Sequence, residues 1–340
     1  MYLDFTNEFY KNIALNTTEV SYENGVTSKD AFLVLLNGLD YETIDNLCIE
    51  VANKLSLDDS HIVYELIQRG PQDLQDDSFK DLVLATAYEM IHVNKTLGNK
   101  MVGKFNASSW ISHCLYEGEL ASQLASAMGL DADTAMKLGL LHDVGRKFDH
   151  SFMHTIKGFE YLYSLGYQEE AFCALSHSFL PLPEDGKFMG SRCANCDPAI
   201  DGFYVNEDGQ GVFEDGSKLD DMTQFLSVYQ YNLYDIILNI SDLMATSFGI
   251  VSPEERVNDV YSRKTPDPKN SPFFKVCFIN ALKRVMSSLS GEHKEIEAIN
   301  IKDFSSIEEI DSLFKSVSDE FLRKYYQILD HAKKRGGSTE

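Results

Sequence analysis

Six residues define the chemistry open to this chain: His113, the adjacent His142 and Asp143, His154, His177 and Asp242. Each sits in an apolar, helix-forming context. Neutral imidazole and carboxylate are the ligands that suit zinc, iron, manganese and related ions, so four histidines and two aspartates in this order can hold one or two of them. The central stretch is Leu140-Leu141-His142-Asp143-Val144-Gly145-Arg146, followed by His150. A lone His-Asp pair turns up by chance in many chains. Here it ends an apolar helical run and precedes a glycine, which places the pair at a helix end inside the core. Asp242 lies within Ile240-Ser241-Asp242-Leu243-Met244, a setting that would bury its carboxylate. Burying an unpaired carboxylate is costly; a metal, another cation, or a proton with a hydrogen bond would each relieve that cost.

The elements that must position these residues read as helices. Residues 1–98 form an N-terminal helical region. One helix opens at Ser28-Lys29-Asp30 and carries Phe32, Leu33, Leu35 and Leu36, and amphipathic spacing recurs at 44–55, 62–67 and 82–91. His61 and His92 lie there without partner acids at ligand spacing and read as ordinary histidines, leaving packing or dimerisation as the role of this region. A glycine-bearing stretch at 98–103 marks the boundary to a second region, 99–290. There Asn106 or Ser108 caps a long helix carrying Trp110, His113, Leu120, Leu124 and Met128, and Gly129 ends it. Asp131 caps the next helix, with Asp133 placed against its positive end. Further helices carry Ile156, Phe159 and Leu162, then Ala171, Ala174, Leu175 and His177.

Residues 180–218 interrupt the pattern with Pro, Gly, Asp and Asn, and 202–205 with 211–213 read as a hairpin around Asp208-Gly209, an insertion near the mouth of the site. Helical spacing returns near Leu219 and runs through Asp242; Pro253 starts another helix, and Phe274, Val276, Ile279, Leu282 and Val285 mark one more. The segment 291–340 is a C-terminal helix with a capping box between Ser305 and Glu308. The fold class is all-α.

Composition narrows the partners. With 30 Lys+Arg against 53 Asp+Glu, the formal net charge is -23, a surface that repels nucleic-acid backbones and anionic membranes. Six scattered cysteines make no disulfide framework and suit a reducing cytoplasm. The start of the chain lacks a signal-peptide pattern, and no apolar run reaches the length of roughly 18 residues that spanning a membrane requires. Cys193-Ala194-Asn195-Cys196 lacks the second pair that a zinc ribbon needs, and reads as two loop cysteines.

The order His113, His142-Asp143, His154, His177, Asp242 resembles the HD superfamily of metal-dependent phosphohydrolases, closest to the branch with an HDIG-type motif, here His142-Asp143-Val144-Gly145-Arg146. His154-Thr155-Ile156-Lys157-Gly158, Ala174-Leu175-Ser176-His177 and Ile240-Ser241-Asp242-Leu243 resemble the motifs that follow in that family. The likeness covers roughly residues 105–265. It implies an HD helical bundle at the centre, with the N-terminal extension, the insertion and the C-terminal helix added to it.

By position, the resemblance implies that His113, His142, Asp143 and Asp242 hold a first divalent ion. Asp143 would bridge to a second held by His154 and His177. Iron or manganese, with magnesium, nickel or zinc as alternatives, would supply a hydroxide that attacks phosphorus. Asp143 and Arg146 would be the catalytic pair, and Arg146, Lys147, His150 and Arg256 would meet a small anionic phosphorylated substrate such as a nucleotide. Each cation has the alternative of an ordinary ion pair on a solvated helix face. Arg146 stands where the family usually has lysine. The doubled histidine and the Gly-Tyr-Pro signature of cyclic-dinucleotide hydrolases are missing, which disfavours that activity. Two other functions share the pattern: an HD-type di-iron oxygenase and a non-catalytic HD signalling module. A homodimer is compatible with all three.

Overall fold

The computed structural model describes residues 25–36, 109–149, 153–178, 203–205, 211–213, 231–247, 249–263, 271–290 and 297–336. The helices expected at 44–55, 62–67 and 82–91, the boundary at 98–103, His61, His92, His150, Cys193 and Cys196 lie outside these residues.

The described chain is all-α apart from two short hairpins. In order come α1 (Ser28–Leu36), α2 (Ser109–Ala127), α3 (Ala132–Leu141), a 3₁₀ turn (Val144–Lys147), α4 (Met153–Ser164) and α5 (Gln168–Ser176). After these come β1 (Phe203–Val205), β2 (Gly211–Phe213), α6 (Leu233–Met244), β3 (Ala245–Thr246), β4 (Gly249–Ile250), α7 (Pro253–Arg263), α8 (Ser271–Leu289), a 3₁₀ turn (Ile301–Asp303) and α9 (Ile307–Gly336). β1 and β2 pair antiparallel with Phe203 opposite Phe213, in the expected hairpin. The β3–β4 hairpin directly after Asp242's helix has no counterpart in the sequence reading.

Local signals act where the residue types predict. α2 stops at Gly129, whose φ of 75° is open to glycine at no steric cost. The Leu130 amide then donates to the Ala125 carbonyl and the Gly129 amide to the Ser126 carbonyl, which satisfies the last turn. The Asp131 side chain accepts from the Thr134 amide and caps α3. The capping box of α9 is shifted by one residue from the expected Ser305 and Glu308. Because the helix begins at Ile307, Ser306 is the cap: it accepts from the Glu309 amide, while the Glu309 carboxylate accepts from the Ser305 amide.

One apolar core runs through α2, α3, α6, α8 and α9, with Leu120, Leu124, Ile237, Ile240, Ile279, Leu282, Phe314 and Phe321 all fully buried. Each such side chain contributes about 1.5–3 kcal/mol. The C-terminal helix therefore shares a core with the helices that carry the site. Lys137 on α3 and Glu170 on α5 form a buried ion pair, 3.2 Å apart, that ties the helix ending at His142 to the helix ending at His177. α1 lies on α3, where the Ser28 hydroxyl and amide both donate to Asp133.

Candidate metal centre

Five helices converge on one end of the bundle. α2 brings His113, α3 ends at His142 with Asp143 in the following turn, α4 carries His154 near its start, α5 ends at His177, and α6 carries Asp242 near its end. His142 and His177 are built alike: each caps its helix, and its Nδ1 donates to the carbonyl three residues back, Gly139 at 2.7 Å and Ala174 at 2.8 Å. A carbonyl can only accept, so in the neutral ring Nε2 keeps its lone pair and faces inward, the way a ligating histidine is fixed.

Glycines allow the elements to close. At Gly139 a β-carbon would stand 2.5 Å from the Gly118 Cα, so α2 and α3 cross backbone to backbone beside His113 and His142. At Gly145 it would stand 1.9 Å from the His154 carbonyl oxygen, so the turn after Asp143 lies directly on α4.

The result is a buried cluster around Asp143. Its Oδ1 lies 3.0 Å from His154 Nε2 and 3.5 Å from His177 Nε2; its Oδ2 lies 3.6 Å from His142 Nε2 and 3.8 Å from His113 Nε2. Ring nitrogens meet head-on, His113 Nε2 with His142 Nε2 at 3.1 Å and His154 Nε2 with His177 Nε2 at 3.3 Å. His113 Nε2 is 3.1 Å from Asp242 Oδ1. Asp242 departs from the expected burial: its side chain is 28 % exposed, the most open of the six. All six side chains singled out from the sequence thus come together, and the donor set is the imidazole and carboxylate mixture that suits Zn, Mn or Fe. The orphaned Asp143 Oδ1 and the facing ring nitrogens fit a cation among them.

The sequence reading missed Glu117. It stands four residues after His113, one turn along α2, and is fully buried. Its Oε2 is 2.8 Å from His142 Nε2 and 3.7 Å from His113 Nε2. The i, i+4 spacing of an acid from a histidine on an apolar helix was the signal available. His113, Glu117, His142 and Asp242 offer donor atoms within 4.8 Å of one another, and so do His142, Asp143 and His177.

The cations have varied positions. Arg146 Nε donates to Asp143 Oδ2, with its side chain 28 % exposed at the rim. Lys147 points elsewhere: its ammonium donates to the Val34 carbonyl near the end of α1 and lies 4.9 Å over the Tyr161 ring. Arg256 pairs with Asp259 on its own helix at 3.1 Å. Ser176, beside His177, donates to Asp235 Oδ1 at 3.1 Å, and Asp235 is also the capping-box acid of α6; this link joins the helices of His177 and Asp242.

Burial dominates the electrostatics. It pushes Glu117 up to about 8 against the pull of His142. At His142 burial opposes the imidazolium, but Glu117 and Asp143 outweigh it and hold the ring well above its ordinary value. Burial would also raise Asp143, yet Arg146, His142 and His154 hold its carboxyl well below the usual range. His154 is lowered to about 4 by burial and by Arg146, which keeps the ring neutral.

Comparison with known proteins meets this geometry. The family model "HD domain" matches residues 110–190, a span that takes in every site histidine and Asp143 but stops short of Asp242. Among curated relatives, ribonuclease Y of Lactobacillus helveticus is 30% identical over 93 residues, covering 26% of this chain and 17% of the relative. Ribonuclease Y of Clostridium perfringens is 28% identical over 105 residues, covering 29% and 20%. That of Mycoplasma mycoides subsp. mycoides is 24% identical over 114 residues, covering 33% and 21%. The chain thus spans about a fifth of the length of the relatives it matches. No solved structure matches it. No helix among the described residues is long and apolar enough to cross a membrane. The histidine and aspartate order, the helical bundle and the family match agree: residues 110–190 of this chain form an HD domain.

Proposed function

We propose that this chain is a metal-dependent phosphohydrolase that cleaves a phosphate ester of a nucleotide or another small phosphorylated molecule. One observation carries the reading: four inward-facing imidazoles gather around the buried Asp143 with Asp242 alongside. His113, His142, Asp143 and Asp242 would hold one divalent ion, and Asp143, His154 and His177 a second. Bound there, divalent ions supply a water deprotonated near neutrality and a counter-charge for the phosphoryl oxygens.

The chain's own residues set the rest. Gly139 and Ala174 fix the ring orientations of His142 and His177 through their carbonyls. Among the described site residues the histidines and Asp143 are buried, while Asp242 and Arg146 are the more exposed, so substrate would approach past these two. Arg146 both steadies Asp143 and stands at the rim, where its forked guanidinium suits a phosphate oxygen. Lys147 and Arg256, engaged with Val34 and Asp259, are poorer candidates for that contact.

The similarity to proteins named ribonuclease Y favours a second reading, in which the ester is an RNA phosphodiester. The net charge of -23 works against a long polyanion and favours a short one. The test is phosphate or nucleotide release from a panel of nucleotides, sugar phosphates and a short RNA, with Mn(II) or Fe(II) supplied and oxygen excluded. Turnover of one class by the native protein, lost in Asp143→Ala with helical content intact, is the expected result. Silence across the panel from protein shown to hold metal, or full activity in Asp143→Ala, overturns the proposal.

A further inference from the structure

We infer that Glu117 is itself a ligand of the ion held by His113, His142 and Asp242. The inference rests on the reading of the centre as a metal site and adds to it a residue outside the histidine and aspartate order.

Three observations carry it. The Glu117 carboxylate is fully buried, and neither of its oxygens has a hydrogen-bond partner. A buried carboxyl left so is costly unless something else satisfies it. Its Oε2 is 2.8 Å from His142 Nε2, but the contact lacks hydrogen-bond geometry, so a ring N–H does not point at it. The His142 ring already donates from Nδ1 to Gly139, which leaves the neutral ring a lone pair, not a proton, at Nε2. Two such atoms this close need a proton or a metal ion between them, and the missing hydrogen-bond geometry favours the metal ion.

The spacings agree with a coordination sphere. Around an ion with bonds of about 2.1 Å, adjacent ligand atoms lie roughly 3.0 Å apart and opposite ones roughly 4.2 Å in an octahedron. Glu117 Oε2 to His142 Nε2 is 2.8 Å, His142 Nε2 to His113 Nε2 is 3.1 Å, and His113 Nε2 to Asp242 Oδ1 is 3.1 Å. Glu117 Oε2 to His113 Nε2, at 3.7 Å, falls between the two octahedral distances. Position follows from the fold: Glu117 lies one turn after His113 on the same face of α2, and Gly118, next to it, is where α3 crosses closely enough to bring His142 within reach.

A consequence is chemical bias. With Glu117, Asp143 and Asp242, this half of the centre offers three carboxylates beside two imidazoles, an oxygen-rich set that favours Mn(II) or Fe(II) more than a site built on imidazole alone. The rival account makes Glu117 a plain ion-pair partner of a protonated His142, with no bond to the metal.

Anomalous diffraction from crystals of the full chain soaked in Mn(II) separates these. The expected result is a manganese peak with a Glu117 oxygen roughly 2.0–2.3 Å away. In solution, Glu117→Gln should bind Mn(II) at least tenfold more weakly than the native protein, with its circular dichroism unchanged. A manganese ion on His113, His142 and Asp242 with both Glu117 oxygens more than about 3 Å away overturns the inference and leaves the proposed function standing. A protein that takes up no metal at all at the histidines overturns both.

Discussion

The α2–α3 crossing and the seat of the 3₁₀ turn on α4 each hold half of the metal centre through a glycine pair, yet the pairs differ in what a side chain would strike. At the crossing, a β-carbon on Gly139 would meet only backbone, the Gly118 Cα at 2.5 Å and its nitrogen at 2.7 Å, whereas one on Gly118 would first meet the Met136 sulfur at 2.8 Å and then the Met136 carbonyl oxygen at 3.0 Å. At the seat, a β-carbon on Gly145 would stand 1.9 Å from the carbonyl of His154, a site residue, and 2.5 Å from the Gly158 nitrogen. One on Gly158 would stand 3.3 Å from the Gly145 nitrogen and 3.4 Å from the Ala174 β-carbon. Two crossing helices can part slightly and keep their orientation. A turn pressed onto the residue that presents its own imidazole has no such freedom. Position along the sequence hides this; the direction of each missing side chain reveals it.

The largest effect should come from Gly145→Ala. Relieving the clash must push α4 off the turn, which takes His154 away from Asp143 Oδ1. A stability loss on the order of 3 kcal/mol is expected, with loss of the ion on the His154 and His177 side, read by urea denaturation and by metal content. Gly158→Ala, on the other face of the same contact, should cost less than about 1 kcal/mol, because its contacts are near ordinary and alanine favours the helix. Equal costs for the two would break the directional argument. Gly139→Ala should come next, about 2 kcal/mol, with weakened metal binding at His113 and His142. Gly118→Ala should cost less than that, since the methionine side chain can swing aside and only the Met136 carbonyl, at 3.0 Å, must give by a small shift.

How much of this was legible follows the same division. Residue types and spacing were enough for the helices that carry His113, His142, His154, His177 and Asp242, for the stop at Gly129 and for the hairpin at 203–213, because these are local signals. The glycine after His142-Asp143 was visible as a motif member, but its reason, a carbonyl that leaves no room for a β-carbon, is tertiary. Gly139 was invisible because its role depends on which helix crosses α2; Glu117 left a local trace in its i, i+4 spacing from His113, but its approach to His142 depends on that same crossing. For the cations the sequence left two readings open, substrate contact or an ordinary partner, and only the fold chooses between them. Lys147 and Arg256 stand near the motifs in sequence, yet a long side chain goes to the nearest acceptor in space, the Val34 carbonyl for one and Asp259 for the other.

Lys147 also offers the smallest and most selective probe of the comparison, since it braces the seat of the turn and has no counterpart at the helix crossing. It follows Arg146 directly, lies over Tyr161 of α4 and reaches α1, so it joins the turn, α4 and the N-terminal segment. Burial lowers its pKa from 10.5 to about 7. A lysine lowered in this way binds its proton more weakly folded than unfolded, so between those two values the unfolded chain carries more protons and folding stability rises with pH. Below about 7 both states are protonated and the slope from this group vanishes. Lys147→Met should therefore flatten the rise in stability between about pH 7 and 10.5, as measured by urea denaturation at several pH values in that window. Arg146 keeps its charge throughout, so its grip on Asp143 does not confound the slope. If the native protein and Lys147→Met show parallel curves, the ammonium is solvated like any surface lysine. The seat of the turn then depends on Gly145 alone, as the helix crossing depends on Gly139.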